Sequence, residues 1–277
     1  MVMLNMTKRD VVDAPFPHVI KEGVLPGELF ARLAADFPRV ETFEAQRDGM
    51  GTAGSRTGSG FDIYRGDPNF SSLVERSAAW AQFAGFVNSE AFADQFREIF
   101  EDHISEIGLR IDVGQSRIEP AFVEPRADLT ETATRLDRAV MFANRALGSA
   151  RRREPTQLFT RLDIHKSFGG YRKPAHCDRP NRLCSLIVYF TDAEAVGMEG
   201  GELQLFRHRQ NKTVTNYERH PREADVELVA TLRPKANLGV FFPCQNNSYH
   251  GVTPVLSSGI ARDFLYINIS GRKRSLW

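Results

Sequence analysis

Two histidines and one aspartate have the side chains and the spacing that a metal centre needs. His176 and Asp178 form the one His-x-Asp tripeptide of the chain. If the tripeptide lies on a strand, residues i and i+2 point to the same side, so an imidazole and a carboxylate face one point. A further histidine, His250, follows in the run S-Y-H-G-V. The tripeptide alone does not separate a metal site from an ordinary His-Asp pair on the surface.

Two histidines and one carboxylate would leave three coordination positions of a metal open. Such a centre suits Fe(II) that must bind both a cosubstrate and O₂, whereas a closed structural zinc site would need a fourth protein ligand. The cysteines Cys177, Cys184 and Cys244 are too few and too scattered for a cysteine-based zinc site or a disulfide framework. The pattern therefore favours an open iron centre.

The segments around these residues follow a specific order. R-L-C-S-L-I-V-Y runs from Arg182 to Tyr189, G-G-E-L follows from Gly200, and Arg262 comes twelve residues after His250. This order resembles the prolyl-4-hydroxylase-like branch of the 2-oxoglutarate/Fe(II)-dependent oxygenase superfamily. The likeness covers residues 157–270 and extends more loosely to the P-F-P-H-V start.

The resemblance implies a role for each matching residue. His176, Asp178 and His250 would hold Fe(II), and Arg262 would pair with the remote carboxylate of 2-oxoglutarate, joined by the hydroxyl of Tyr189. A guanidinium fork fits a carboxylate bidentately, which is why arginine suits the position. O₂ would be the second cosubstrate, with ascorbate as an optional reductant. Because the carboxylate ligand is present, halogenation is not expected.

Three residues are candidates for substrate contact. Since Arg262 points inward, strand alternation puts Tyr266 and Asn268 on the same face, and the resemblance places Asn268 near the substrate. His165 is the polar ring nearest to a tyrosine position of the family, and we interpret it as a pocket contact or filler. Tyr171 is the third candidate.

The remaining histidines that we consider are not expected to bind the metal. We interpret His103 as a packed or rim histidine, and His208 and His220 as parts of a polar surface loop.

The residue pattern along the chain changes from helical to strand-like. An extended run at 15–20 precedes a helix from Pro26, and residues 70–107 predict two further helices. A strand-like run at 116–123 follows, and from residue 157 short β runs alternate with turns rich in Gly, Pro and Asn. We expect an α+β, mainly β, fold: a double-stranded β-helix, or jelly roll, with N-terminal helices packed on its outside.

The length fits a single oxygenase domain over residues 1–277. Residues 1–115 would give the helical support and 116–277 the jelly-roll core, with a helical insertion at about 128–148. We expect the glycine-rich loop 49–60, this insertion and the segment 207–226 to determine specificity.

The charge balance of the chain limits the classes of partner that we expect. The 36 Lys and Arg against 35 Asp and Glu give a net charge of +1, so no nucleic acid or anionic membrane is expected as a partner. No run approaches the ~20 apolar residues of a membrane span, and the start has no apolar stretch typical of a signal peptide. We therefore expect a cytoplasmic protein; its oligomeric state does not follow.

Our main interpretation is hydroxylation of an unactivated C–H bond in a small molecule, such as an amino acid or other metabolite, with release of succinate and CO₂. Two alternatives stay open. One is hydroxylation of a protein or peptide residue, as in prolyl hydroxylases. The other is a cupin-type metalloprotein that does not use 2-oxoglutarate.

Overall fold

The computed structural model describes residues 3–44, 60–125, 153–210, 218–273 and 275–277. Its strands are β1 Val11–Val12, β2 His18–Glu22, β3 Gly60–Tyr64, β4 Arg117–Ile118, β5 Gln157–Ser167, β6 Lys173–His176, β7 Arg182–Tyr189, β8 Leu203–His208, β9 Val226–Leu232, β10 Leu238–Pro243, β11 Tyr249–Val252 and β12 Arg262–Gly271.

The strands form two sheets. The large sheet has the order β1-β2-β10-β7-β12-β5-β3, with β4 added beside β5, and the small sheet has the order β6-β11-β8-β9. All neighbouring strands pair antiparallel except β4, which runs parallel to β5. This is the expected jelly roll, a double-stranded β-helix, and the expectation of a mainly β fold is confirmed.

Strand β12 lies at the centre of the large sheet, between β5 and β7. Its register sets Arg262 opposite Ser167 and Tyr266 opposite both Asp163 and Ile187. Every residue of β7 is buried, because both faces of this central strand are covered. Double coverage explains why its sequence reads as a nearly unbroken apolar run.

The α-helices precede the main strands. They are α1 Gly27–Ala35, α2 Pro68–Arg76, α3 Ala78–Val87 and α4 Glu90–Ile99. Between residues 70 and 107 the prediction of two helices was wrong, since α2, α3 and α4 all fall there. The extra boundary is at Ser77, whose hydroxyl accepts a hydrogen bond from the backbone N–H of Trp80 at 3.4 Å and so caps α3.

Aromatic packing fixes α4 against the large sheet. The ring of Phe92 stacks on Phe241 of β10 at a centroid distance of 6.0 Å, and Phe100 meets the same ring edge-on at 5.3 Å. All three rings are buried. Each such side chain contributes roughly 1.5–3 kcal/mol of burial free energy, so α4 supports β10.

Two predictions about strands were incomplete. The strands β6 and β11, four residues each, were not predicted as strands, because they are too short for a clear alternation. The run predicted at 116–123 is a strand only at Arg117–Ile118, since the chain then turns, with the N–H of Phe122 donating to the carbonyl of Glu119 at 3.2 Å.

Part of the predicted organisation lies outside the described residues. This holds for the insertion at 128–148, for the loop 49–60 apart from Gly60, and for 211–217 within the segment 207–226. The division into support and core stays a prediction. Among the residues that the structure describes, no helix is both long and apolar enough to cross a membrane.

Candidate active site

The two histidines and the aspartate converge between the sheets. His176 is the last residue of β6, and it lies directly opposite His250 of β11 in the antiparallel register, with ring centroids 4.4 Å apart. Asp178 follows two residues after His176, just beyond the end of the strand. The ligand atoms of the three side chains all lie within 4.8 Å of one another, and all three residues are buried.

Both imidazoles present the same nitrogen to the centre of this group. Nδ1 of His176 lies 3.0 Å from the carbonyl oxygen of Pro174, and Nδ1 of His250 lies 3.0 Å from that of Ser248. Because a carbonyl oxygen can only accept, each Nδ1 carries the proton, which leaves the lone pair of each Nε2 free. Backbone carbonyls commonly orient metal-binding histidines in this way.

The protonation states match the needs of a metal site. Burial lowers the pKa of His176 well below 6.5, and the neighbouring His250 lowers it further. Burial also lowers the pKa of His250. For Asp178, burial would raise the pKa, but Arg182 and the two histidines hold it well below its ordinary value. Neutral imidazoles beside an ionised carboxylate are the forms that bind a divalent cation.

Four side chains donate hydrogen bonds to the carboxylate of Asp178. Its Oδ1 accepts from Tyr266 Oη at 2.8 Å and from Arg182 Nη1 at 3.1 Å. Its Oδ2 accepts from Ser185 Oγ at 2.7 Å and from Cys244 Sγ at 3.5 Å. These contacts were missed from the sequence, although the alternation along β12 had already placed Tyr266 on the inward face.

Arg262 and Tyr189 meet as the resemblance implied. Nη2 of Arg262 donates to the hydroxyl of Tyr189 at 3.0 Å, and the two side chains are almost completely buried. Nε and Nη1 of Arg262 are buried and have no hydrogen-bond partner within the described part of the chain. A buried guanidinium with two unused donors calls for an anionic ligand.

The two glycines of G-G-E-L explain how this arginine is accommodated. Gly201 has φ +77°, and a Cβ there would lie 3.1 Å from Cδ of Arg262. Gly200 has φ +74°, and a Cβ there would lie 1.9 Å from the carbonyl oxygen of Pro254. Both positions therefore require glycine.

The three candidates for substrate contact lie in different places. His165 of β5 is half-buried and stacks on Phe264 at 4.7 Å, on the face that carries Arg262. Asn268 is fully buried, and its Nδ2 has no partner among the described residues. Tyr171 is buried against Gly60. Burial raises the pKa of Tyr189, and the nearby Tyr171 adds to this rise, so Tyr171 lies at the Arg262 end.

His208 departs from its prediction as part of a surface loop. It is buried, because β8 continues to this residue and pairs there with Val226 of β9. His208 also forms a group with Glu218 and Asp225. Its Nδ1 accepts from the N–H of Gln210 at 3.1 Å, so the proton is on Nε2, which faces Glu218 at 3.9 Å. This tautomer does not suit a metal ligand. His220, by contrast, is exposed.

Comparison with known proteins identifies the part of the chain that carries this site. Residues 162–269 match the family model described as the 2OG-Fe(II) oxygenase superfamily. This segment belongs to that superfamily. It includes His165, His176, Asp178, Tyr189, His250 and Arg262. The match of this segment supports an oxidoreductase of the dioxygenase type, whose family uses Fe(II), 2-oxoglutarate and O₂, over the cupin-type alternative.

Several solved structures resemble the chain at a distance. A prolyl 4-hydroxylase from Phytophthora capsici matches at 15% identity and a TM-score of 0.45, over 92% of this chain and 59% of that one. A prolyl-4-hydroxylase from Pseudomonas putida matches at 17% identity and 0.44, over 92% and 93%. A Trichoplax adhaerens prolyl hydroxylase, solved with a hypoxia inducible factor peptide fragment, matches at 11% and 0.44, over 98% and 90%. The search of curated proteins found no match.

The described residues fit the family's cofactor and cosubstrate. The two imidazoles with free Nε2 atoms and the carboxylate are a donor set suited to Fe(II). The unused donors of Arg262 suit one carboxylate of 2-oxoglutarate. Tyr266, which contacts Asp178, follows Arg262 by four residues on the same face of β12, so one strand links the two sites.

Proposed function

We propose that the chain is an Fe(II)- and 2-oxoglutarate-dependent dioxygenase that hydroxylates an unactivated C–H bond of a small molecule. One observation carries this proposal. Two neutral imidazoles lie beside Asp178, and Arg262, with its unused donors, lies on the same inward face. The first group suits a divalent metal and the second an anionic cosubstrate. A binding module without activity would not need both.

Each residue then has a role. His176, Asp178 and His250 hold the iron, while Arg262 and Tyr189 bind the remote carboxylate of 2-oxoglutarate. When bound, iron and 2-oxoglutarate supply the oxidant: O₂ gives one oxygen atom to succinate as CO₂ is released, and the other to the substrate. The protein contributes ligand geometry, cosubstrate orientation and shielding from water.

His165 and Asn268 are the proposed substrate contacts. His165 is held by its stacking on Phe264 and by Asp163, which lies 3.8 Å from its Nε2. Because it lies outside the group of three ligands, His165→Ala should keep one iron per chain while changing the response to substrate. Tyr171, near Tyr189, would shape the cosubstrate end of the cavity.

The proposal of a small-molecule substrate rests on the burial of the residues around the proposed substrate contact. Asn268 is fully buried, and Asp163 and Arg161 beside it are each about 5% exposed or less. A small polar molecule fits such a site better than an extended peptide.

The test is a mass-spectrometric screen of metabolite pools with Fe(II), 2-oxoglutarate and O₂. We expect succinate formation to rise together with the gain of one oxygen atom in a metabolite. A set of proline-containing peptides forms the second arm, and oxygen gain there alone would assign the substrate to the protein class. No 2-oxoglutarate consumption in either arm, by protein with iron bound, would contradict the proposed activity.

A further inference from the structure

The stretch of chain between β6 and β7 carries Asp178 outside any strand. β6 ends at His176 and β7 begins at Arg182, and Asp178 lies in the irregular chain between them. Functional side chains on irregular chain are placed less precisely than those on strands, unless other groups hold the backbone. The position of Asp178 therefore depends on contacts that reach this stretch from elsewhere in the fold.

Three consecutive backbone carbonyls near Asp178 accept hydrogen bonds from residues at the end of β12 and beyond it. Two of the donors are backbone N–H groups, and the third is an indole N–H. The pairs are Leu276 N–H with Pro180 at 2.7 Å, Gly271 N–H with Asn181 at 2.8 Å, and Trp277 Nε1–H with Arg182 at 2.8 Å. The chain after β12 therefore holds the backbone of the stretch that carries Asp178.

The residues that supply these donors are tightly packed. Leu276 and Trp277 are both 0% exposed. Cδ2 of Leu276 would lie 2.5 Å from a Cβ at Gly271, so the chain folds back closely on the end of β12. The N–H of Arg110 also donates to the carbonyl of Leu276 at 2.8 Å. Because close packing leaves such side chains little freedom to move, Trp277 can fix the group that it contacts.

Arg182 connects Trp277 to the metal ligand. Its backbone carbonyl accepts from Trp277, while its Nη1 donates to Oδ1 of Asp178 at 3.1 Å and to the hydroxyl of Tyr266. Its Cζ also lies 5.0 Å from the centroid of the Tyr266 ring. A shift of the Arg182 backbone would therefore move the guanidinium group that orients the carboxylate of Asp178.

The other tryptophan of the chain lacks such a contact. Trp80 is also 0% exposed, but its Nε1 has no hydrogen-bond partner within the described part of the chain. Its ring packs against Phe37 and Phe190, with centroid distances of 6.1 and 6.3 Å. An indole can thus be buried in this fold without a hydrogen bond, so burial alone does not account for the contact between Trp277 and Arg182.

We propose that Trp277 is a positioning residue of the metal centre. Its indole N–H fixes the backbone of Arg182, and Arg182 in turn holds the carboxylate of Asp178 in the orientation that binds the metal. This inference rests on the metal site of the proposed function and adds a residue that supports it from outside the ligand set. Trp277 acts on the geometry of the site and leaves the charges of its ligands unchanged.

Titration of Co(II) into the metal-free protein, followed by visible absorption, tests the proposal. Trp277→Phe keeps an aromatic ring and removes the N–H. Loss of a group that orients a ligand directly costs about tenfold to 100-fold in metal affinity. Since Trp277 acts one residue further away, we expect the Kd to rise about threefold to tenfold, with a changed Co(II) band. An unchanged Kd with an unchanged band would overturn the proposal.

Trp80→Phe is the matched control, because it makes the same replacement at an equally buried position. Urea unfolding of the metal-free protein measures what each replacement costs in stability. We expect both variants to be less stable than wild type, but only Trp277→Phe to bind Co(II) more weakly and with a changed band. The same rise in Kd in both variants would show a general effect of core packing and would contradict the role of Trp277.

An isosteric replacement covers the case in which Trp277→Phe does not fold. Benzothienylalanine keeps the shape of the indole and has sulfur in place of the N–H. Incorporated into Trp80→Phe protein, it replaces Trp277 alone, and the same protein grown on tryptophan is its control. In the wild-type chain it should have the same effect, because the N–H of Trp80 has no partner among the described residues. Equal Co(II) Kd values with tryptophan and its analogue would contradict the proposal.

Failure of the proposed function would give a different result. If wild-type protein did not bind Co(II), the three ligands would not form a metal site, and this inference would fall together with the proposed function. If wild type and Trp277→Phe bound Co(II) equally, the inference alone would fail. Neither outcome depends on 2-oxoglutarate or on turnover of a substrate.

Discussion

The hydroxyl of Tyr266 lies 2.8 Å from Oδ1 of Asp178. Tyr266 stands four residues after Arg262 on the same face of β12, so one strand both orients the aspartate and carries the arginine. This relationship couples the two halves of the proposed site mechanically. A shift of β12 would disturb the metal ligand and the cosubstrate anchor together.

Tyr266→Phe should weaken metal binding. Loss of one hydrogen bond that orients a ligand typically costs about tenfold to 100-fold in metal affinity. Titration of Co(II) as a spectroscopic probe would measure it. The matched control is Tyr249→Phe, whose hydroxyl donates to the carbonyl of Glu218 and not to Asp178. Equal affinity in wild type and Tyr266→Phe would show that Arg182 and Ser185 suffice.

Arg262→Leu should raise the Kd for 2-oxoglutarate steeply while iron binding survives. Removing one partner of a buried charge pair costs about 2–5 kcal/mol. Arg262→Lys should be intermediate, and Tyr189→Phe should cost about 1.5–3 kcal/mol, one hydrogen bond to a charged group. The metal-to-ligand charge-transfer band of the anaerobic Fe(II) enzyme reports the affinity.

Unchanged 2-oxoglutarate affinity in Arg262→Leu would move the anchor to another cation. The next candidates along the sequence are Lys166, Lys173 and Arg182. The structure commits Lys166 to Asp263, at 2.6 Å, and Arg182 to Asp178, at 3.1 Å. Lys173 is then the candidate for the next substitution.

Gly201→Ala should also weaken 2-oxoglutarate binding, by displacing Arg262. A Cβ at this position would lie 3.1 Å from the arginine's Cδ. Gly197→Ala is a matched control, because Gly197 also has positive φ, +64°, but no atom lies within 4 Å of its Cβ position. Both variants should lose stability, of order 1 kcal/mol from backbone strain. If the two had the same 2-oxoglutarate Kd, the close approach to Arg262 would have no functional consequence.

The metal-free protein should lose stability as the pH falls below about 6.5. Burial lowers the pKa of His18, His176 and His250 in the folded state, whereas the unfolded chain binds these protons near pH 6.5. The contribution of these histidines to the free energy of unfolding is therefore fully present above pH 6.5. It declines as the pH falls from there towards the folded-state pKa values, by about 1.4 kcal/mol for each unit of pKa difference.

Urea unfolding at about pH 7.5 and about pH 5.5 would measure this loss. His18→Gln removes one of these buried histidines and should make the loss smaller. A metal-free protein equally stable at both values would contradict the account of neutral buried histidines.

The sequence predicted the site better than it predicted the elements that hold it. Arg262 and Tyr189 were paired correctly because a motif order, not local propensity, carried that information. The strand β6, which ends at His176, was missed because four residues give too short an alternation. Asp178 lies beyond the strand's end, so the alternation that would hold for a tripeptide within one strand does not bring the two ligands together.

Other features depend on contacts that no local pattern encodes. Glu124 reaches Arg179, 55 residues away, only because the fold brings them together. The burial of His208 follows from the pairing of β8 with β9, while its sequence neighbourhood is polar. Long-range pairing of this kind becomes visible only in three dimensions.

The most direct test of the central claim is anaerobic titration of Fe(II) into protein with 2-oxoglutarate, followed through the metal-to-ligand charge-transfer band. The comparison is between wild type and His176→Ala, Asp178→Ala and His250→Ala. His220→Ala is the control, because that ring lies 6.1 Å from His176 but outside the group of three. We expect the band in wild type and His220→Ala and its loss in the other three, with the fold retained by circular dichroism. A band of wild-type intensity and iron affinity in all three variants would show that the metal is held elsewhere.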